Sequence, residues 1–138
     1  MCGVKLDYIS QNHSKYLLIA HLIFSCKYRK KLLIRFGTKI KKILYDIADE
    51  KDLNIIEMEV DKDHIHILIQ YPPTKSILDV VRLFKQISTY RIWRENNNHI
   101  YLKKQFWVEK TFWGDGYFAC SIGQVSKEII EKYIKNQG

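Results

Sequence analysis

The chain has 138 residues, 46% of them apolar and 28% charged, a balance that suits one soluble globular domain over residues 1–138. Lys and Arg number 23 against 15 Asp and Glu, giving a formal charge of +8, which disfavours an acidic small molecule as partner and favours a polyanion such as nucleic acid. Cys2, Cys26 and Cys120 lie far apart and form no C-x-x-C pair, which argues against a disulfide framework or a zinc knuckle and fits a reducing cytoplasm.

Tyr16 to Phe24 is an apolar run too short to span a bilayer, interrupted by His21 and followed at once by Lys27-Tyr-Arg-Lys-Lys31. It reads as a buried strand over about 16 to 26, with neither an export signal nor a membrane partner implied. Residues 35 to 50 form a helix, because Phe36, Ile40, Ile43, Leu44 and Ile47 recur on one face. A second strand covers 54 to 61, and a third, 63 to 71, follows so closely that the two must form a tight antiparallel hairpin. After Pro72-Pro73, Ser76 with Asp79 three residues on has the form of a capping box, and Ile77, Val81 and Phe84 continue as one face of a helix through about Trp93. Asn96-Asn97-Asn98 marks a loop, Gln105 to Val108 and Tyr117 to Ser121 read as short strands around Gly114-Asp-Gly116, and Val125 to Asn136 closes the order as a helix. The expected fold is α+β: a ferredoxin-like split βαβ sandwich whose antiparallel sheet carries helices on one face and leaves the other for ligands.

The segment Asp61-Lys-Asp-His-Ile-His-Ile-Leu-Ile-Gln70 carries the strongest chemical signal. Side chains two apart on a strand share a face, so His64 and His66 point one way while Ile65, Ile67 and Ile69 point the other. Two imidazoles so placed make half of a metal site, although exposed histidines on a strand are also common surface residues. In the closing helix, Ser126 is an N-cap and Ile129, Ile130, Tyr133, Ile134 and Gln137 share one stripe. Tyr133 and Gln137, one turn apart, are able to deliver a phenol and an amide oxygen to the same neighbour, while packing is the ordinary use of such a tyrosine.

The His-Ile-His strand, the helix with Lys132-Tyr-Ile-Lys-Asn-Gln137, the basic segment Phe24-Ser-Cys-Lys-Tyr-Arg-Lys-Lys31 and the aromatics Trp113 and Tyr117-Phe118 together resemble the single-tyrosine HUH transposases of bacterial insertion sequences that move as single-stranded DNA. The resemblance extends over nearly the whole chain. It implies that Tyr133 is the nucleophile, that His64, His66 and Gln137 ligate a divalent cation, Mg2+ or Mn2+, and that cutting leaves a 5′-phosphotyrosyl enzyme and a free 3′-OH. It also implies a homodimer and DNA partners with hairpins at the element ends. The near-continuous apolar run of Tyr16 to Cys26 is then a candidate for sheet pairing between subunits. Asp61, Asp63 and Glu59 lie near the motif, yet none is singled out as general base, because Asp61 and Asp63 serve equally well as turn formers.

DNA phosphates would meet Lys27, Arg29, Lys30, Lys31 and Arg35, with Arg82, Lys85, Arg91 or Arg94 beside a hairpin stem and Tyr28, Tyr90 or Trp93 stacking on bases. The rival reading is a non-catalytic binder of single-stranded nucleic acid on the same sheet, with the histidines contacting bases and no need for metal.

Overall fold

A computed structural model describes residues 9–11 and 14–122, with side chains described from residue 17 onward. The expected helix over 125 to 136, and with it Tyr133 and Gln137, lies outside the described residues. The elements are β1 (Ile9–Gln11), β2 (Ser14–Tyr16), β3 (Leu18–Ser25), α1 (Leu33–Glu50), β4 (Asn54–Val60), β5 (His64–Tyr71), α2 (Ile77–Arg94), α3 (Asn98–Phe106) and β6 (Phe118–Ser121). β1 and β2 pair with each other as a separate hairpin.

The main sheet has the order β4-β5-β3-β6 and every neighbouring pair is antiparallel. β3 and β4 are therefore parallel with β5 between them, and α1 makes the crossover; β5 and β6 are related in the same way through α2. This is the split βαβ arrangement of a ferredoxin-like sheet. Ala20, Leu22 and Phe24 of β3 and Ile65, Ile67 and Ile69 of β5 pack with Phe36, Ile40 and Leu44 of α1 and Val80, Val81 and Phe84 of α2 in one core. Every apolar position that set the 3.6-residue period of α1 is buried. The helix ends where Asp52 turns left-handed at φ 57°, and the Leu53 N–H returns 2.9 Å to the Ala48 carbonyl, a closure that buries Leu53 as well.

Three local features depart from the sequence expectation. Gln105 and Phe106 belong to α3, followed by a turn at Trp107 and Val108, so no strand exists at 105 to 108; Asn98, Leu102 and Phe106 are buried one turn apart, which is a helical period. In β4 the register with β5 shifts between Ile55 and Glu57, a bulge at Ile56. The extra residue lets both Ile55 and Met58 oppose core-facing residues of β5 although they are an odd number of positions apart. β3 has β5 on one side and β6 on the other, so both of its edges are already hydrogen-bonded and it has none to offer a second subunit. The expectation that this strand pairs across a dimer is therefore corrected: its apolar run reflects burial on both faces, with Ile19, Ala20, His21 and Leu22 all below 4% exposure.

The capping box at α2 is present as expected, with the Asp79 N–H donating to Ser76 Oγ and the Ser76 N–H to the Asp79 carboxylate, both at 3.1 Å. Ser76→Ala is expected to cost about 1 kcal/mol of stability, read as a lower urea midpoint with an unchanged m-value.

Candidate metal centre and nucleic-acid face

Directly paired residues share a face of the sheet, so the register defines the surface opposite the helices. His64 pairs with Ser25, His66 with Ile23 on one side and Glu59 on the other, and Phe118 with Ile23. His64 and His66 are half-buried, their ring centroids 5.0 Å apart with planes at 69°. The two imidazoles thus meet on one face, as the strand period requires.

Each ring has a fixed second partner. His64 Nδ1 lies 2.7 Å from Asp63 Oδ1, and because an ionised carboxylate only accepts, Nδ1 is the donor there and Nε2 is the nitrogen left for another partner. The hydrogen bond from His64, and after it that from Arg29, holds the Asp63 carboxyl below the ordinary carboxylate range. Arg29 reaches Asp63 at 3.2 Å from a turn in which Tyr28 and Arg29 both have left-handed backbones, φ 59° and 52°. Backbone of that kind in non-glycine residues is strained, and here it brings the basic segment after β3 against the hairpin after β4. Burial, reinforced by His64, lowers the pKa of His66. A neutral imidazole is the ligating form, so this donor pair suits a divalent cation. Among the described residues no group of three or more His, Cys, Asp or Glu side chains is placed to hold a metal ion, so a third protein ligand would have to be of another type or come from elsewhere.

The carboxylates near the motif separate clearly. Asp63 is committed to His64 and Arg29, Asp61 accepts the N–H of its neighbour Lys62 at 2.7 Å and has its other oxygen 3.8 Å from His64 Nε2, and Glu59 is exposed beside His66 in the register. A third histidine, passed over in the sequence because it lay inside an apolar run, joins the same face: His21, 3% exposed, has Nε2 at 3.4 Å from His66 Nδ1. Strand alternation through Ile19, His21 and Ile23 was the signal that would have found it.

The family model for IS200-like transposases matches residues 14–137. The chain belongs to this family. It is 33% identical over 123 residues to the ISDra2 transposase TnpA of Deinococcus radiodurans, covering 88% of this chain and 85% of that one, and 28% identical over 134 residues to the transposase of insertion sequence element IS200 from Salmonella typhimurium, covering 95% and 84%. Among solved structures it is similar to a candidate transposase from Deinococcus radiodurans R1, with TM-score 0.70, 30% identity and coverage of 94% of this chain and 97% of that one. It shares the fold of a REP-associated tyrosine transposase solved bound to a REP hairpin, with TM-score 0.58 at 13% identity and coverage of 96% and 68%. Among the described residues no helix is long and apolar enough to cross a membrane.

For this IS200-like transposase, the basic residues assigned to DNA from sequence are exposed, engaged with a side chain, or turned inward. Lys31 and Arg82 are exposed, and Arg35 is exposed with its guanidinium 4.2 Å above the Tyr101 ring. Lys27, Arg29 and Lys30 are engaged with Asp115, Asp63 and Gln105 respectively, though the Arg29 side chain is still 66% exposed. Lys85 is inward: it donates to the Gly114 carbonyl at 2.7 Å and the Gly116 carbonyl at 2.8 Å, and burial lowers its pKa. It clips the loop before β6 onto α2. Of the aromatics, Tyr28 and Tyr90 are exposed, whereas Trp93 is 8% exposed with Nε1 donating to the Thr111 carbonyl, so it is chiefly a packing residue. Sequence reasoning missed the surface around Trp107. That ring is 80% exposed beside His99, Lys103 and Lys110, and the surface adjoins a cleft of about 720 Å³ between α2 and residues 110–115. Cations interleaved with exposed rings are the composition of a single-strand nucleic-acid surface.

Replacing Lys85 by Met removes both hydrogen bonds from its ammonium to the loop while keeping the stem. The expected cost is about 1–3 kcal/mol, with faster amide hydrogen exchange in residues 114–118 than elsewhere in the sheet as the local readout.

Proposed function

We propose that this member of the family cuts and rejoins single-stranded DNA at insertion-sequence ends through a 5′-phosphotyrosine intermediate on Tyr133, with His64, His66 and Gln137 holding Mg2+ or Mn2+. The observation that carries the reading is the pair of imidazoles on one sheet face, His64 locked through Nδ1 by Asp63 and His66 kept neutral by burial. The named transposase relatives support the substrate class. A bound divalent cation supplies Lewis-acid polarisation of the scissile phosphate.

The remaining chemistry belongs to the side chains. The Tyr133 phenol loses its proton, its oxygen forms a bond to phosphorus, and the bond from phosphorus to the 3′ oxygen breaks with its electron pair, which takes up a proton to leave a 3′-OH. An ordinary phenol has a pKa of about 10, so activation at this step is required. Because tyrosinate is a competent leaving group, a 3′-OH from another strand reverses the reaction and no ATP is needed. Lys31, Arg35 and Arg82, with Lys27 and Lys30 exchanging their present partners and Arg29 keeping Asp63 while its exposed guanidinium edge meets a phosphate, would neutralise phosphates. A hairpin in the substrate and a homodimer, as the resemblance implies, complete the proposal; sheet pairing between subunits would use an edge other than those of β3.

Incubation of the full chain with single-stranded DNA carrying the element ends, in Mn2+ or in EDTA, tests this directly. A covalent protein–DNA adduct is expected under denaturing conditions in Mn2+ alone. Tyr133→Phe should abolish the adduct and leave DNA binding within about twofold, and an unchanged adduct removes Tyr133 from the mechanism. His64→Ala should lose Mn2+ binding and cleavage together. DNA binding with no adduct under any divalent cation would favour the non-catalytic binder.

A further inference from the structure

The two histidines of β5 differ in what orients them. His64 has a carboxylate at Nδ1; His66 has an imidazole. His21 is on β3, opposite Leu68 and one diagonal step from His66, and both rings lie on the sheet face away from the helices. Their planes are 14° apart and their centroids 5.5 Å apart, while the facing nitrogens are 3.4 Å apart. The centroid separation exceeds the nitrogen distance by about the sum of two centroid-to-atom radii. The rings therefore lie side by side in nearly one plane, the geometry of an N–H···N hydrogen bond and not of a face-to-face stack. The Phe118 ring stands edge-on to His21 at 6.3 Å and helps to fix it.

We propose that His21 is a positioning residue: its Nε2 engages Nδ1 of His66 and so leaves Nε2 of His66 as the nitrogen presented to a cation. The inference rests on the proposal that His64 and His66 hold a divalent ion. Two neutral imidazoles sharing a hydrogen bond need one donor and one acceptor, and in either sense Nδ1 of His66 is occupied. His66 is a competent ligand through Nε2 when Nδ1 carries the proton, so His21 acts as the acceptor and the pair stands in one tautomer. Burial favours the neutral form of both rings, consistent with that sharing. The result is a matched pair of ligands, each presenting Nε2, one set by Asp63 and the other by His21. Partners of this second kind typically change metal affinity by about 10–100-fold when removed.

The test uses the full chain labelled with 15N-histidine, observed at a pH where the rings are neutral. The wild type should show His66 as a single Nδ1–H tautomer with a through-hydrogen-bond nitrogen–nitrogen coupling to His21, and should bind Mn2+ in calorimetry. His21→Phe should give mixed tautomers for His66 and Mn2+ binding weaker by about tenfold, while His21→Gln, which keeps an acceptor, should recover most of both. A wild type with no coupling and an Nε2–H tautomer at His66 overturns the proposal even if neither variant folds. So does Mn2+ affinity in folded His21→Phe equal to wild type, or an equal loss in the Phe and Gln variants, which would mark a packing role. A wild type that shows the coupling but binds no Mn2+ overturns the cation reading itself, and with it the role assigned to His21.

Discussion

The two-residue period of β5 is the constraint on which the site depends. One alternation sends Ile65, Ile67 and Ile69 beneath α1 and α2 and sends His64 and His66 to the other face. A slip of one residue would place both imidazoles in the apolar core and three isoleucines outside, so hydrophobic burial fixes the register and the register fixes the histidines. Fully burying an isoleucine is worth roughly 1.5–3 kcal/mol, and three of them acting through one strand make the alternative register costly. The core therefore serves the chemistry indirectly: it sets which atoms meet on the far face.

The flanks of that strand are set by polar contacts. The hairpin of Asp61, Lys62 and Asp63 delivers a carboxylate to His64 Nδ1, and the turn after β3 delivers Arg29 to the same carboxylate. Two non-glycine residues in left-handed backbone bring the chain back to that point. Such strain persists only where surrounding contacts over-determine it. Here they include the Cys26 N–H donating to the Asp63 carbonyl at 2.8 Å and the Leu33 N–H donating to the Lys62 carbonyl at 3.0 Å. Asp63 is thereby an orienting group with a lowered pKa and a poor proton acceptor, which separates it from any general base.

Where hydrophobic period and capping chemistry spoke together, the sequence was legible. α1, the capping box of α2, the β4–β5 hairpin and the histidine pair all follow from spacing alone. α3 was not, because three consecutive asparagines read as a loop and Gln105 to Val108, with aromatic and β-branched residues in succession, reads as a short strand; the helix begins instead at Asn98, whose buried side-chain amide donates to the Ile92 carbonyl at 3.0 Å and so caps the preceding helix. The interior place of β3 was equally hidden. An apolar run says that both faces are covered, but only the pairing with β6, whose own sequence Phe-Ala-Cys-Ser is short and mostly exposed, says that both edges are used. His21 and Lys85 were illegible for a common reason: each is polar within an otherwise structural element, and its partner is more than 25 residues away in sequence.

Charge sorts along the same lines. Lys27, Arg29, Lys42 and Arg91 each meet a carboxylate, and since such pairing removes one charge of each sign the excess of +8 is carried by the other cations. Yet the partners differ in kind. Asp115 is 93% exposed, and an ion pair so open to water is held weakly enough for a phosphate, which brings release of counterions as well, to displace it. Arg91 grips Glu50 through two nitrogens at 2.7 and 2.8 Å, tying the end of α1 to α2, and is far less suited to exchange. Lys85, between two loop carbonyls and the Phe24 ring, is fixed in the helical layer. Cations that hold the scaffold are thus bidentate or inward, Arg29 with two nitrogens on Asp63 among them, and those left for a polyanion are singly paired or exposed, so Lys27, Lys30, Lys31 and Arg35 are able to take up phosphates without loosening the contacts that align the histidines.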